Sequence, residues 1–411
     1  MFTRRRLLNG AATLAVYGSF ARMAGSTGLA ATVDPVSPAL PSGARDAAVL
    51  DALPGKKPLI KRSYRPPNYE TPVDTFEQAF TPNDQFFVRW HLSNIPEVDA
   101  AEWRLKVGGD GASTPLELSL AQLAADFEQV EIAALCHCAG NRRGLSDPHV
   151  MGVQWGYGAM GNATWKGVRL KDILAKAGVT ADAIEIAFNG GESGAVEETP
   201  DFVKSIPAWK ALDDNTMIAT HMNGEPLPHW NGYPARLIVP GWMATYWIKQ
   251  VTDINALTKP QGGYWMEKAY RVPLGVYSFT DRFITQETSK NTPITEMVVN
   301  SLITSLSEGQ AIVAGKPVDV RGVAWDGGHG ITQVDVSTDG GQTWRPAMLG
   351  PDLGRFSWRQ WSLPFTPAGP GRYAVMARAT NAQGASQVSK LIFSPSGYHN
   401  NVIHTVNVEA A

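Results

Sequence analysis

Cys136 and Cys138, the two cysteines of a 411-residue chain, both fall in Ala134-Leu135-Cys136-His137-Cys138-Ala139-Gly140-Asn141-Arg142-Arg143-Gly144. A thiolate is a soft ligand for a transition metal, and guanidinium groups beside it would hold an oxyanion through paired hydrogen bonds. Two residues apart, these cysteines have poor geometry for bonding each other and leave no loop worth closing. Structural zinc would need a second ligand pair elsewhere; there is no further cysteine pair and no His-Glu-x-x-His helix. A Cys–His nucleophile is possible in type, yet nothing else in the chain points to acyl transfer. The pattern favours a metal centre handling a small anion.

Phe86-Phe87-Val88-Arg89-Trp90-His91 supports that reading. On an apolar strand, residues two apart leave the same face, so Arg89 and His91 point together. A buried guanidinium and imidazole on one face need an anionic partner, because an unpaired buried charge is costly.

Two other motifs carry less. Gly156-Tyr157-Gly158-Ala159-Met160-Gly161 has the letters of a dinucleotide-binding turn. That function requires a helix opening on the last glycine, and Asn162-Ala163-Thr164-Trp165-Lys166-Gly167 does not begin one; a glycine-rich loop lining a pocket is expected instead. Ser337-Thr338-Asp339-Gly340-Gly341-Gln342-Thr343-Trp344 resembles the Asp-box turn of sialidase propellers, but a propeller repeats it in each blade. It occurs once here, so a hairpin with Asp-Gly at its tip is expected.

The elements that must position these residues fall into three stretches. Residues 31–75 are rich in proline, with Pro35, Pro38, Pro41, Pro54, Pro58, Pro66 and Pro67 among them, and read as an extended N-terminal arm. From Phe86 to about Ala256, β-like runs such as Val130–Ala134 and Arg236–Val239 alternate with helical spacing at 118–124 and 170–178, the latter closing on Gly178 as a C-cap. This is an irregular α+β domain, with bounds at 76–300. From about Ile303, period-two alternation in 318–325, 332–337 and 373–379, broken by Gly, Asp and Asn turns, indicates an all-β immunoglobulin-like sandwich over 301–411. Trp358 and Trp361 are expected in its core or at an interface.

The first thirty residues begin Met1-Phe2-Thr3-Arg4-Arg5-Arg6-Leu7-Leu8 and end in small residues around Gly28-Leu29-Ala30-Ala31. A basic start, a short weakly apolar run and a small-residue site form an export signal, here of twin-arginine type, which carries proteins already folded into the periplasm. The run is too short and interrupted to span a bilayer, and no second apolar segment of spanning length appears. Loss of Arg4, Arg5, Arg6 and Arg22 with residues 1–30 would leave 32 basic against 38 acidic residues, a net charge of −6. That opposes nucleic-acid binding and suits a basic protein partner.

Taken in order, Phe87-Val88-Arg89-Trp90-His91, Cys138-Ala139-Gly140-Asn141-Arg142-Arg143, Asn223-Gly224-Glu225-Pro226-Leu227-Pro228, Gly232-Tyr233-Pro234-Ala235-Arg236-Leu237-Ile238-Val239-Pro240-Gly241 and Ser396-Gly397-Tyr398 with Asn401 resemble the sulfite oxidase family of molybdenum enzymes. The export signal and the lack of accessory domains make the chain look like its bacterial periplasmic sulfite dehydrogenases. The resemblance implies a molybdopterin-binding catalytic domain followed by a dimerisation domain on the sandwich. It implies Cys138 as the thiolate ligand of molybdenum, with Cys136 a buried thiol. Arg89, Arg143, Trp155 and Tyr270 match the substrate pocket, His91 a position near pterin or substrate, and Arg236 and Lys249 positions that hold the pterin phosphate, a role suited to their charge. Asn231 stands where the family often has histidine, and an amide adds no charge. An arginine often contributed by the C-terminal segment has no counterpart in Tyr398-His399-Asn400-Asn401.

The implied reaction oxidises sulfite to sulfate by oxygen-atom transfer, with Arg89 and Arg143 neutralising and aiming the dianion. No Cys-x-x-Cys-His haem motif and no cytochrome b5-like segment occur in these residues, so electrons are expected to pass one at a time to a separate c-type cytochrome, in a homodimer or a heteromer with it. Rival readings are the molybdenum subunit of a thiosulfate-oxidising complex and a periplasmic methionine-sulfoxide reductase, which normally lacks the sandwich. Outside enzymes, a β-sandwich binding module is the alternative.

Overall fold

In the computed structural model the described residues are 49–411; the export signal and the first part of the arm lie outside them. The described part of the arm is more than a wrapping segment. Val49–Asp51, Leu59–Ser63 and Asn68–Glu70 pair antiparallel and continue onto Val88–Arg89. Leu59, Tyr69, Val88 and Trp90 pack as a small core of their own. These strands are too short and too broken by proline to show period-two alternation, so tertiary pairing decides their conformation.

Two five-stranded sheets build the α+β domain. In one, Val251–Leu257 lies between Glu185–Gly190, antiparallel, and Leu105–Gly108, parallel. In the other, the long strands Gln129–His137 and Met160–Arg169 pair in register from Gln129 with Val168 to His137 with Met160, and Met217–Met222 links them to Arg236–Ile238. The helices are short. Leu120–Ala125 opens on a capping box, Ser119 with Gln122, and Leu170–Lys176 is followed by Gly178 at φ +63°, the left-handed C-cap that glycine adopts without steric cost.

The sandwich begins at Asn300. A four-stranded sheet ordered Asn300–Ile303, Val318–Trp325, Arg359–Phe365 and Met348–Leu349 faces a five-stranded one built around Ile331–Ser337, Gly371–Asn381 and His404–Ala410. Val320, Val334, Trp361, Val375 and Val408 fill its interior, while Leu302, Val323, Trp325 and Trp358 belong to the core of the preceding domain. The Asp-Gly segment is a tight hairpin: Asp339 accepts from the main-chain N–H of Gln342 and Thr343 at 2.9 Å each, and Arg378 lies over the Trp344 ring. Among the described residues no helix is long and apolar enough to cross a membrane.

The glycine-rich run at 156–161 contributes Tyr157 to a pocket beside the sandwich, while none of its residues lines the cavity onto which Cys138 opens. The run is a zone of close approach. A Cβ on Gly158 would stand 1.9 Å from the Thr71 carbonyl oxygen, one on Gly156 2.7 Å from Glu70 Oε1, and one on Gly161 2.5 Å from the Phe86 ring. Glycine here lets the N-terminal strands press onto the sheet that carries the cysteines.

Candidate active site

The strand Gln129–His137 delivers Cys138 to the end of its sheet. There the Cys138 N–H donates to Ala159 O, and Asn141 Oδ1 accepts from the Ala159 N–H at 3.0 Å, so a side chain extends the ladder past the last strand residue. Arg142, at φ +68°, ties this turn to the sandwich through Asn300 Oδ1 and Val402 O. Cys136 and Cys138 are both buried free thiols. Cys136 accepts from Arg236 Nη2 at 3.2 Å, and burial raises its pKa.

Cys138 opens onto a narrow cavity whose wall includes Arg89, His91, Asn231, Arg236, Lys249 and Tyr270. Seven sequence candidates from five separate stretches of chain thus meet around one space. Only Val88–Arg89 of the Phe86–His91 segment is paired as a strand, yet Arg89 and His91 both reach the cavity wall.

On this wall stands Tyr270, held at φ +57°. Its hydroxyl lies 2.5 Å from His91 Nε2 and accepts from Arg89 Nη2 at 3.4 Å. Arg89 also donates to Asn68 Oδ1 and the Trp90 carbonyl. The His91 ring stacks on Phe202 with centroids 3.5 Å apart. Burial, then the Arg89 charge, push the His91 pKa well below its ordinary value, so the ring is neutral. Burial raises the Tyr270 phenol, keeping it protonated.

On the same wall Arg236 donates to Asn231 O, and Lys249 sits 4.3 Å over the Trp90 ring. Burial lowers the pKa of Arg236, and that of Lys249 to about 8. Arg236 Nε and Thr245 Oγ1, both on residues of the wall, are buried without hydrogen-bond partners.

Arg143 and Trp155 are not on this wall. Arg143 lies behind Tyr398, whose ring stacks on Tyr270 at 5.6 Å, with its guanidinium 5.3 Å from the Tyr398 centroid. It donates to Ser396 O and Val153 O and is enclosed by glycines: a Cβ on Gly140 or Gly397 would meet it at 2.6 Å. Trp155 is fully buried, its indole N–H without a partner.

Three residues escaped sequence reading. Glu192 accepts from the main-chain N–H of His91 and Leu92 at 2.7 and 2.8 Å and faces Lys249 Nζ at 3.6 Å and His91 Nδ1 at 3.7 Å. Burial opposes its charge, but Lys249 and His91 hold its pKa down to about 2. Lys56 donates to Asn231 Oδ1. Lys204, buried, donates to Trp265 O and lies 5.2 Å from the Tyr270 ring centroid. Glu192 sits in Gly190-Gly191-Glu192-Ser193-Gly194 and Lys56 in Pro54-Gly55-Lys56-Lys57-Pro58; both stretches read as solvated turns, and no local signal marks them.

Fold and site together define a molybdopterin-binding oxidoreductase. Residues 91–265 match the oxidoreductase molybdopterin binding domain and residues 291–411 the Mo-co oxidoreductase dimerisation domain. The mitochondrial sulfite oxidases of Macaca fascicularis and Homo sapiens are each 32% identical, over 87% and 86% of this chain and 67% and 66% of theirs. The crystal structure of the sulfane dehydrogenase SoxCD from Paracoccus pantotrophus superposes with a TM-score of 0.71 at 29% identity, over 84% of both chains. The chain belongs to the sulfite oxidase family of molybdenum enzymes. It spans about two thirds of the length of those mitochondrial relatives.

The family's molybdenum–pterin cofactor fits these residues. Among the described residues no three His, Cys, Asp or Glu side chains converge as a metal site, so a metal held by Cys138 needs ligands from a non-protein group. The unpartnered Arg236 Nε and Thr245 Oγ1 and the buried cations Arg236 and Lys249 suit an anionic tail.

Proposed function

We propose that the protein oxidises sulfite to sulfate at a molybdenum–pterin centre, with Cys138 as protein ligand and a separate c-type cytochrome taking the electrons. The single observation carrying this is the convergence of Cys138, Arg89, His91, Tyr270, Asn231, Arg236 and Lys249 on the wall of one cavity. When bound, the cofactor supplies the oxygen atom passed to sulfur and accepts the electron pair.

The chain's own groups bind and orient. Arg89 stays charged and neutralises the oxyanion, a favourable exchange in a buried pocket. The Tyr270 hydroxyl donates a hydrogen bond either to His91 Nε2 or to a substrate oxygen, and the lowered His91 pKa keeps the proton on the phenol. Glu192 fixes His91 from behind. Arg143, acting through Tyr398, is a positioning residue. Lys249, Arg236 and Asn231 hold the pterin phosphate. Export by the twin-arginine route to the periplasm completes the reading; Arg4→Lys with Arg5→Lys should leave the protein in the cytoplasm.

A second reading is favoured by the SoxCD match over 84% of both chains: a molybdenum subunit that oxidises a sulfane-type substrate within a complex. Steady-state assay with sulfite and cytochrome c against thiosulfate decides between them, with Cys138→Ser as control. Sulfite turnover that vanishes in Cys138→Ser supports the first reading, and turnover retained in that variant rejects the ligand assignment.

A further inference from the structure

Asn231 departs from the family's frequent histidine, and the structure shows what stands behind it. Lys56 Nζ donates to Asn231 Oδ1 at 2.5 Å, to Asn83 O at 2.6 Å and to Phe86 O at 3.1 Å. An ammonium can only donate, so it fixes the amide with its oxygen toward Lys56 and its NH2 elsewhere. One of those N–H groups is used by Phe87 O at 3.0 Å; the other remains for a ligand at the cavity wall that Asn231 forms.

Lys56 is only 8% exposed, and among the described residues it has no ion pair. Asp84, the acid whose charge favours the Lys56 ammonium from beyond ion-pair distance, pairs with Lys57 at 3.1 Å. Lys56, Arg236 and Lys249 are therefore three buried cations on or behind the cavity wall, against the buried carboxylate of Glu192 and the more exposed Asp84. Such an excess is unfavourable unless an anion joins it. Burial lowers the Lys56 pKa to about 7, with Asp84 opposing that fall and Arg236 adding to it.

We propose that the Lys56–Asn231 pair replaces the missing histidine: Asn231 gives the direct N–H contact to the pterin phosphate, and Lys56 supplies the charge through the amide it polarises. The N-terminal segment is then part of the cofactor site. This rests on the molybdenum–pterin reading of the cavity.

The test is cofactor retention. Wild type, Lys56→Gln, Lys56→Met and Lys56→Met with Asn231→His are purified as full-length protein, and molybdenum and pterin content are followed during dialysis, with thermal unfolding of cofactor-free protein alongside. Both single variants should release the cofactor about tenfold faster, the loss of one charge-assisted contact, and cofactor-free Lys56→Met, which strands three buried acceptors, should melt lower than cofactor-free Lys56→Gln, which keeps a donor. Asn231→His should restore most of the retention in the Lys56→Met background. Retention equal to wild type in Lys56→Gln, or a double variant no better than Lys56→Met, overturns the proposal. If Lys56→Met fails to fold, Lys56→Gln with Asn231→His decides in its place. Wild-type protein that carries neither molybdenum nor pterin sinks the cofactor reading itself, a separate outcome.

Discussion

The Tyr270 hydroxyl lies 2.5 Å from His91 Nε2, and the far side of the same imidazole faces Glu192. With Arg89 donating to the phenol oxygen, the phenol proton is directed at His91. Tyr270→Phe removes that proton and leaves ring packing against Tyr398 intact. A loss of about a hundredfold in kcat is expected, the low end for a positioned proton donor, with molybdenum content unchanged. A kcat within twofold of wild type would remove Tyr270 from the chemistry.

Glu192 balances Lys249 and secures the backbone that carries His91. In the folded protein its pKa is about 2, against an ordinary 4.5. Stability from this carboxylate is present above pH 4.5 and fades as pH falls toward 2. Glu192→Gln should destabilise the protein by roughly 3 kcal/mol near neutrality, since it strands a buried ammonium. The gap from wild type should narrow on acidification below pH 4.5. A constant gap across that window would mean that the amide fails for reasons of shape rather than charge.

Arg89 and Arg143 differ in a way that kinetics can read. Arg89 is on the cavity wall; Arg143 is behind Tyr398 and already bonded to two carbonyls. Arg89→Ala should raise the sulfite KM by more than about tenfold, 1.4 kcal/mol or more of lost anion binding. Arg143→Lys should act mainly on kcat, by loosening the Tyr398–Tyr270 stack. Equal KM effects from both would place Arg143 against the substrate.

What sequence could reveal followed from how local each signal is. Cys138, Arg89 and His91 were legible because rare or charged residues sat inside apolar segments, where ordinary packing does not call for them. The sandwich was legible from its alternation, and Gly178 from its place after a helical run. Arg236, Lys249, Asn231 and Tyr270 became assignable only through family resemblance, and they do reach the cavity. Glu192 and Lys56 could not be found this way: each lies in a glycine- or proline-flanked turn whose burial comes from distant chain, 101 residues away from His91 in one case and 175 from Asn231 in the other. The strands at 49–70 were hidden for the same reason.

His404 shows how the interface between the catalytic domain and the sandwich should respond to acid. Its Nδ1 accepts from the Ile303 N–H at 3.0 Å, which requires that nitrogen to be unprotonated, and its ring packs edge-on against Tyr157 at 4.6 Å. Burial, then the charge of Arg142, lowers its pKa from 6.5 to about 3; burial alone does the same for His399. On acidification the unfolded chain takes up these protons first, so stability is complete above pH 6.5 and declines between 6.5 and 3. The melting temperature should therefore fall steadily from pH 7 to pH 5, above the range in which carboxylates contribute. In His404→Gln the amide oxygen can still accept from Ile303 while nothing titrates, so that decline should be shallower. A slope identical to wild type would show that His404 is not among the groups that set acid sensitivity.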